Sequence, residues 1–114
     1  MDAYELIAEA VRTKQQVNAR YHGAERVFAP HALGTKQGRP HVLAYQFAGE
    51  SRSGLPEGGE WRCLNLEEME EITLRPGPWH SAANVFNPQS CLDEVEIAVE
   101  PFPPYSSPEP APAT

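Results

Sequence analysis

The chain has 114 residues, with nine Lys plus Arg against sixteen Asp plus Glu, for a formal net charge of −7. That length excludes two domains of ordinary size, about 100–150 residues each. It suffices for one core, because 40% of the residues are hydrophobic and a chain this size buries roughly two-thirds of its surface. Twelve prolines exclude a helical bundle, and ten aromatics with alternating apolar runs argue against a disordered chain.

Asp2 to Thr13 predicts a helix, since Tyr4, Ile7, Ala8 and Val11 recur at helical spacing. Asp2 followed three residues on by Glu5 reads as a capping box. This stripe needs a sheet to cover. Val17, Ala19 and Tyr21 alternate with polar neighbours as a first strand, and His22-Gly23-Ala24 turns the chain. Arg26 to Leu33 is a second extended run in which Pro30 marks a strand end or an edge. After the turn chemistry of Lys36 to Pro40, His41 to Ala48 is the strongest strand, rich in branched and aromatic residues. Gly49 to Gly59 reads as a loop long enough to be a functional flap. Trp61 to Leu66 is a fourth strand and Ile72 to Leu74 a fifth, with the acidic run Glu67 to Glu71 between them as a solvated turn. Trp79 to Ser90 is irregular by composition. Leu92 to Val99 is expected as a strand, with an arm as the alternative. Pro101 to Thr114, with six prolines, is expected as a disordered tail outside a single domain of residues 1–100. One helix followed by five short strands predicts a mainly β fold closed into a small barrel, which leaves no exposed edge.

No run of about 18 apolar residues exists to span a membrane, and the N-terminus lacks the basic and apolar regions of a signal peptide. A cytoplasmic location is therefore expected. Cys63 and Cys91 are the two cysteines, without CxxC spacing, and are expected as buried reduced thiols. The four histidines, His22, His31, His41 and His80, lack metal-ligand spacing.

The acidity hides an asymmetry. From Arg12 to Arg62 there are eight basic residues and four acidic ones, a net +4, whereas the remainder holds twelve acids and one base. An acidic protein is a poor broad binder of duplex nucleic acid, but a local basic pocket can capture a small anion.

Three segments together resemble the WYL domain family. The first is ARYHGAERVFAPHALG, with Tyr21, Arg26, Pro30 and Leu33 at the positions of an opening hairpin; the second is GRPHVLAY, Gly38 to Tyr45, at the place of the tripeptide that names the family. The third is RCLNLEEMEEI, similar to R-x-F-x-L-D-R-I-x-x-[IV] through Arg62, Leu64, Leu66, Glu67, Met69 and Ile72. The resemblance covers Asp2 to Leu74. It implies an SH3-like or Sm-like barrel of five strands and a ligand-sensing role, usually behind a winged helix-turn-helix in bacterial regulators, with anionic ligands including nucleotides or single-stranded nucleic acid. Two departures stand out. His41-Val42-Leu43 replaces Trp-Tyr-Leu, and Glu68 stands where the family has a second arginine. About fifteen residues precede the first strand, so a short stand-alone member without its own DNA-binding module is expected.

Within the strand from Trp61, alternation puts Arg62 on the face of Leu64 and Leu66, pointing inward near the barrel mouth. An inward arginine needs a carboxylate or an anionic ligand. A bridge to Glu60 or Glu67 and capture of a phosphate both meet that need. In the strand from His41, alternation separates His41, Leu43, Tyr45 and Phe47 from Val42, Ala44 and Gln46, and the first set reads as a pocket wall or a core face. Tyr21 and Arg26 flank the first turn as a stacking ring and a second cation. The expected ligand-binding residues are thus Arg62, Arg26, Tyr21, His41 and Tyr45. No nucleophile elbow, P-loop or HExxH appears, so neither catalysis nor a cofactor or metal is expected. Two functions remain. One is a sensor of a nucleotide or short single strand that signals to a separate transcriptional regulator or a second copy. The other is a protein-interaction or homodimerisation module in which Leu92 to Val99 adds to a partner sheet.

Overall fold

The structure, a computed structural model, describes residues 2–49, 60–79 and 91–99. The expected loop beyond Gly49, the irregular segment after Trp79 and the proline-rich tail lie outside those residues.

Helix α1 (Ala3–Thr13) begins where the capping box places it: the Asp2 side chain accepts from the Glu5 backbone N–H, and the Glu5 side chain accepts in return from that of Asp2. It ends at Lys14, whose left-handed backbone (φ 54°) lets its N–H donate to the Ala10 carbonyl. Ile7, Ala8, Ala10 and Val11 are buried along its inner stripe. Then come β1 (Gln16–Tyr21), β2 (Ala24–Lys36), β3 (Arg39–Gly49), β4 (Glu60–Asn65), a 3-10 turn (Leu66–Glu68), β5 (Met69–Arg75) and β6 (Glu94–Ala98). All pair antiparallel in the order β4-β3-β2-β1-β5, and β6 lies along the second half of β2. The β1–β2 and β2–β3 turns are two-residue loops, His22-Gly23 and Gln37-Gly38. Both central residues have positive φ in each, the primed geometry that matches strand twist.

Three expectations need correction. Pro30 does not end a strand, since β2 runs through it for 13 residues; of the two alternatives it is the edge that holds, and only locally. On its side away from β3, Pro30 falls between the last β1 partner, Phe28, and the first β6 partner, Ala32. There is no ladder bond to lose there. The next residue, His31, is an extra residue bulged out of the β2–β3 ladder. Second, the sheet has six strands rather than five and stays open. After β4 the chain turns through Leu66–Glu68, and Met69 pairs with Tyr21 of β1, so among the described residues β4 and β5 share no ladder. Third, Cys63 and Cys91 are not reduced thiols but form a disulfide, with Cα atoms 5.4 Å apart. Their distance of 28 residues in sequence hides the proximity, which arises because Leu92 packs on the same sheet face as Cys63. The strand expected over Leu92 to Val99 is present as β6, and it completes this chain's own sheet.

The sheet buries both faces. On the helix side, the buried stripe of α1 shares one core with Val17, Ala19, Phe28, Leu33, Val42, Ala44, Leu64 and Leu66. On the opposite side, Ala32, Leu43, Tyr45, Trp61, Cys91 and Leu92 form a second, smaller core. β6 approaches β2 so closely that a Cβ on Gly34 would lie 1.8 Å from the Glu94 carbonyl oxygen. The Tyr4 hydroxyl donates to Glu96 and ties α1 to β6; burial, then this carboxylate, pushes its pKa up to about 12. Among the described residues no helix is long and apolar enough to cross a membrane.

Candidate functional site

Register decides which predicted residues meet. Arg62 lies opposite Ala44 and two residues before Leu64, which lies opposite Val42, so Arg62 shares the helix-side face with the main core. Glu60, also on that face, lies opposite Gln46, which in turn lies opposite Phe28. Arg26 and Tyr21 extend the same face onto β2 and β1. His41 and Tyr45 project to the other side, where the Tyr45 ring meets Trp61 edge-on at 5.2 Å. His41 donates from Nδ1 to the Arg39 carbonyl at 3.0 Å. The structure therefore brings Arg62, Arg26 and Tyr21 onto one face and separates His41 and Tyr45 from them. Alternation gives the faces within each strand; the β3–β4 register shows that the two sets, expected to share one site, lie on opposite faces.

The two arginines differ in their surroundings. Arg26 is 6% exposed and its guanidinium sits over the Tyr21 ring at 5.2 Å, leaning toward β1 and away from β4. Tyr21 is engaged further by the stacked His22 ring at 4.2 Å and by the Asn65 N–H, which donates to its hydroxyl at 3.1 Å. Burial raises its pKa, and that bond opposes the shift. Tyr21 is thus a support for Arg26 rather than an open stacking ring. Arg62 keeps only 17% of its side chain exposed, and its Nη2 lies 3.4 Å from Glu60, which is 44% exposed. Its Nε and Nη2 are buried, and among the described residues neither donates a hydrogen bond.

The other polar groups near the 3-10 turn are paired locally. Glu67 accepts from Arg39 at 2.8 Å, Glu68 meets His22, and Glu71 pairs with Arg20 at 3.3 Å. The acidic run is exposed as expected, but Glu67 and Glu71 pair with arginines and Glu68 meets His22, so it is not a merely solvated turn. Glu68, where the family pattern has arginine, is accommodated by His22.

Sequence reading missed two buried polar groups. Gln46 is fully buried, donates from Nε2 to the Ala48 carbonyl at 3.0 Å, and lines the face beside Glu60. His31, in the β2 bulge, is fully buried against Trp61 and Trp79, with ring centroids at 4.7 and 4.8 Å, and donates from Nδ1 to the Ala29 carbonyl at 2.8 Å. Burial lowers its pKa to about 4, aided by the Lys14 charge and opposed by the Ala29 bond. A polar residue inside an apolar run is the one signal that could have found either. A shallow cleft of about 210 Å³ lies elsewhere, lined by Asp2, Ala3, Tyr4, Pro40, Leu66 and Glu67. Its acidic rim does not suit an anion.

No curated protein and no solved structure matches the chain. A family model described as "WYL domain" matches residues 2–74, from the N-cap of α1 through Leu74 of β5, and so takes in every segment that carries the sequence resemblance. The chain belongs to the WYL domain family, generally a family of ligand-sensing and regulatory domains.

Proposed function

We propose that the chain is a non-catalytic sensor that binds a small anion, a nucleotide or short single-stranded nucleic acid, on the helix-side face at the β4 edge, with Arg62 as the principal ligand. The observation that carries this reading is the state of Arg62: a guanidinium more than four-fifths buried, with Nε and Nη2 making no hydrogen bond among the described residues and a partly exposed glutamate as its ion-pair partner. Buried polar groups in folded proteins are otherwise satisfied. A phosphate would accept from Nε and Nη2 together, the bidentate geometry that arginine favours. Gln46 adds an amide on the same face. Arg26, held over Tyr21, adds positive potential from β2 rather than converging on the same phosphate. His41 and Tyr45, on the opposite face, are left out of this site. Output passes to a separate regulator or to a second copy of the chain.

The test is thermal stability against a panel of mono-, di- and cyclic nucleotides and short single strands, with Arg62→Ala beside the wild type. A ligand at about 100 times its dissociation constant adds roughly 2.7 kcal/mol. A shift of several degrees in the wild type that is lost in the variant supports the reading; no shift with any member refutes it. The second reading, protein association, draws on the open sheet: β4 and β5 each pair on one side alone among the described residues. A mass that rises with concentration in light scattering would favour it.

A further inference from the structure

We propose that the Cys63–Cys91 disulfide is a reversible redox latch that holds β6 on the sheet and is opened by a dithiol reductant. The bond joins two parts of different standing. Cys63 lies on β4, inside the stretch that matches the family model, while Cys91 lies beyond it, three residues ahead of β6.

The strand so held is short and half open. β6 is five residues long and among the described residues pairs with β2 alone; Glu94, Val95 and Glu96 are exposed, while Ile97 packs on the α1 core and Glu96 accepts from the Tyr4 hydroxyl. Its flanks add the Asp93 N–H to the Thr35 carbonyl at 2.7 Å, the Gln37 N–H to the Asp93 carboxylate at 2.7 Å, and the Val99 N–H to the His31 carbonyl at 2.9 Å. A short, one-sided, acidic strand of this kind opens locally at low cost. The disulfide fixes its entry point to the far edge of the sheet, and Cys91 and Leu92 fill the second core beside Trp61 and Tyr45.

The two sulfurs are also unequal. Cys63 is exposed on an edge strand, whereas Cys91 is fully buried. Exposed disulfides are the labile, regulatory ones. A thiolate of the dithiol attacks Cys63 Sγ, the S–S bond breaks, and Cys91 leaves as a thiolate that takes a proton. The second thiol of the reductant then closes on the mixed disulfide and releases Cys63. Two electrons pass to the protein, which ends with two thiols, and the reductant ends as a cyclic disulfide. Without the tether, β6 and Leu92 are free to leave β2 and the Trp61 face, giving up the Ile97 and Val99 contacts and the Tyr4–Glu96 bond, while α1 stays packed on β1 and β2. The latch operates whether or not a ligand occupies Arg62.

The test compares the full chain, oxidised and after dithiothreitol under native conditions, by thiol titration and backbone amide exchange. A Cys63→Ser/Cys91→Ser variant serves as a permanently open form. The expected result is two titratable thiols after reduction, exchange about tenfold or more faster at β6 and Val99, unchanged protection in α1 and in β1–β2, and restored protection on reoxidation. A bond that resists native reduction overturns the proposal, as does reduction that leaves β6 protected. Loss of protection throughout the molecule, in the reduced chain or the double variant, also overturns it and makes the bond a structural staple.

Discussion

Arg62→Met separates a binding arginine from a structural one. Methionine keeps an unbranched apolar stem of comparable reach and removes the guanidinium. Each buried N–H without an acceptor costs about 1–3 kcal/mol; Arg62 Nε is such a group among the described residues, and Nη2 has only the Glu60 ion pair. Against this stands the bridge to Glu60, 3.4 Å long with the carboxylate 44% exposed, and such a pair contributes about 0–1 kcal/mol. The balance favours the variant: Arg62→Met should stabilise the ligand-free chain by about 1–3 kcal/mol, or roughly 5–20 °C in melting temperature for a domain of this size. Urea denaturation measures it directly, with an unchanged slope showing that the same two states are compared. A variant less stable than the wild type by 1 kcal/mol or more would refute the reasoning, because Arg62 would then be a net stabilising ion-pair residue.

Gly34→Ala should cost about 3 kcal/mol, the upper end for overpacking, since its Cβ would lie 1.8 Å from the Glu94 backbone oxygen; denaturation and β6 amide exchange check it, and near-neutral behaviour would mean that β6 can shift. Asp2→Ala should destabilise by about 1 kcal/mol through the lost capping box, read in the denaturation midpoint. His31 predicts an acid limb. Its folded pKa is lowered to about 4 from about 6.5 in the unfolded chain, so the unfolded state takes up the proton first. Its contribution is full above about pH 6.5 and falls as pH drops toward about 4, by about 3 kcal/mol in all. The difference between wild type and His31→Phe across that range isolates it, and parallel profiles would contradict it.

The features legible in the sequence are local ones. The Asp2–Glu5 box, the α1 stripe and the two turns with glycine in second place depend on residues a few positions apart, and each is found as read. Period-two alternation placed Arg62 with Leu64 and divided β3 into its two faces correctly. Alternation cannot say which faces of two strands coincide, because that depends on the pairing register. Hence alternation alone groups His41 and Tyr45 with an arginine that lies on the opposite face, and it gives no sign that Cys63 meets Cys91. The bulge at His31 defeated the reading of Pro30 for a related reason. A proline is costly only where a ladder needs its N–H, and β2 changes partner from β1 to β6 at that point.

Charge shows the same contrast. A count of acids along Glu67 to Glu71 predicts a solvated turn, whereas register sets three of them against Arg39, His22 and Arg20. Those exposed contacts add little stability, but they engage Arg39 and Arg20 beside the turn. Among the described residues, the two buried arginines, Arg26 and Arg62, lie instead on the face where Gln46 is also buried.

The most direct measurement of the central claim is the Arg62 Nε–H resonance in a titration of the chain with the nucleotides and short single strands of the panel. On binding, the Arg62 Nε–H should move downfield and become protected from solvent exchange as a phosphate accepts from it, with a smaller response from Arg26. Binding that leaves the Arg62 signal unmoved, or a panel in which no member moves it, would contradict the assignment of this face as the anion site.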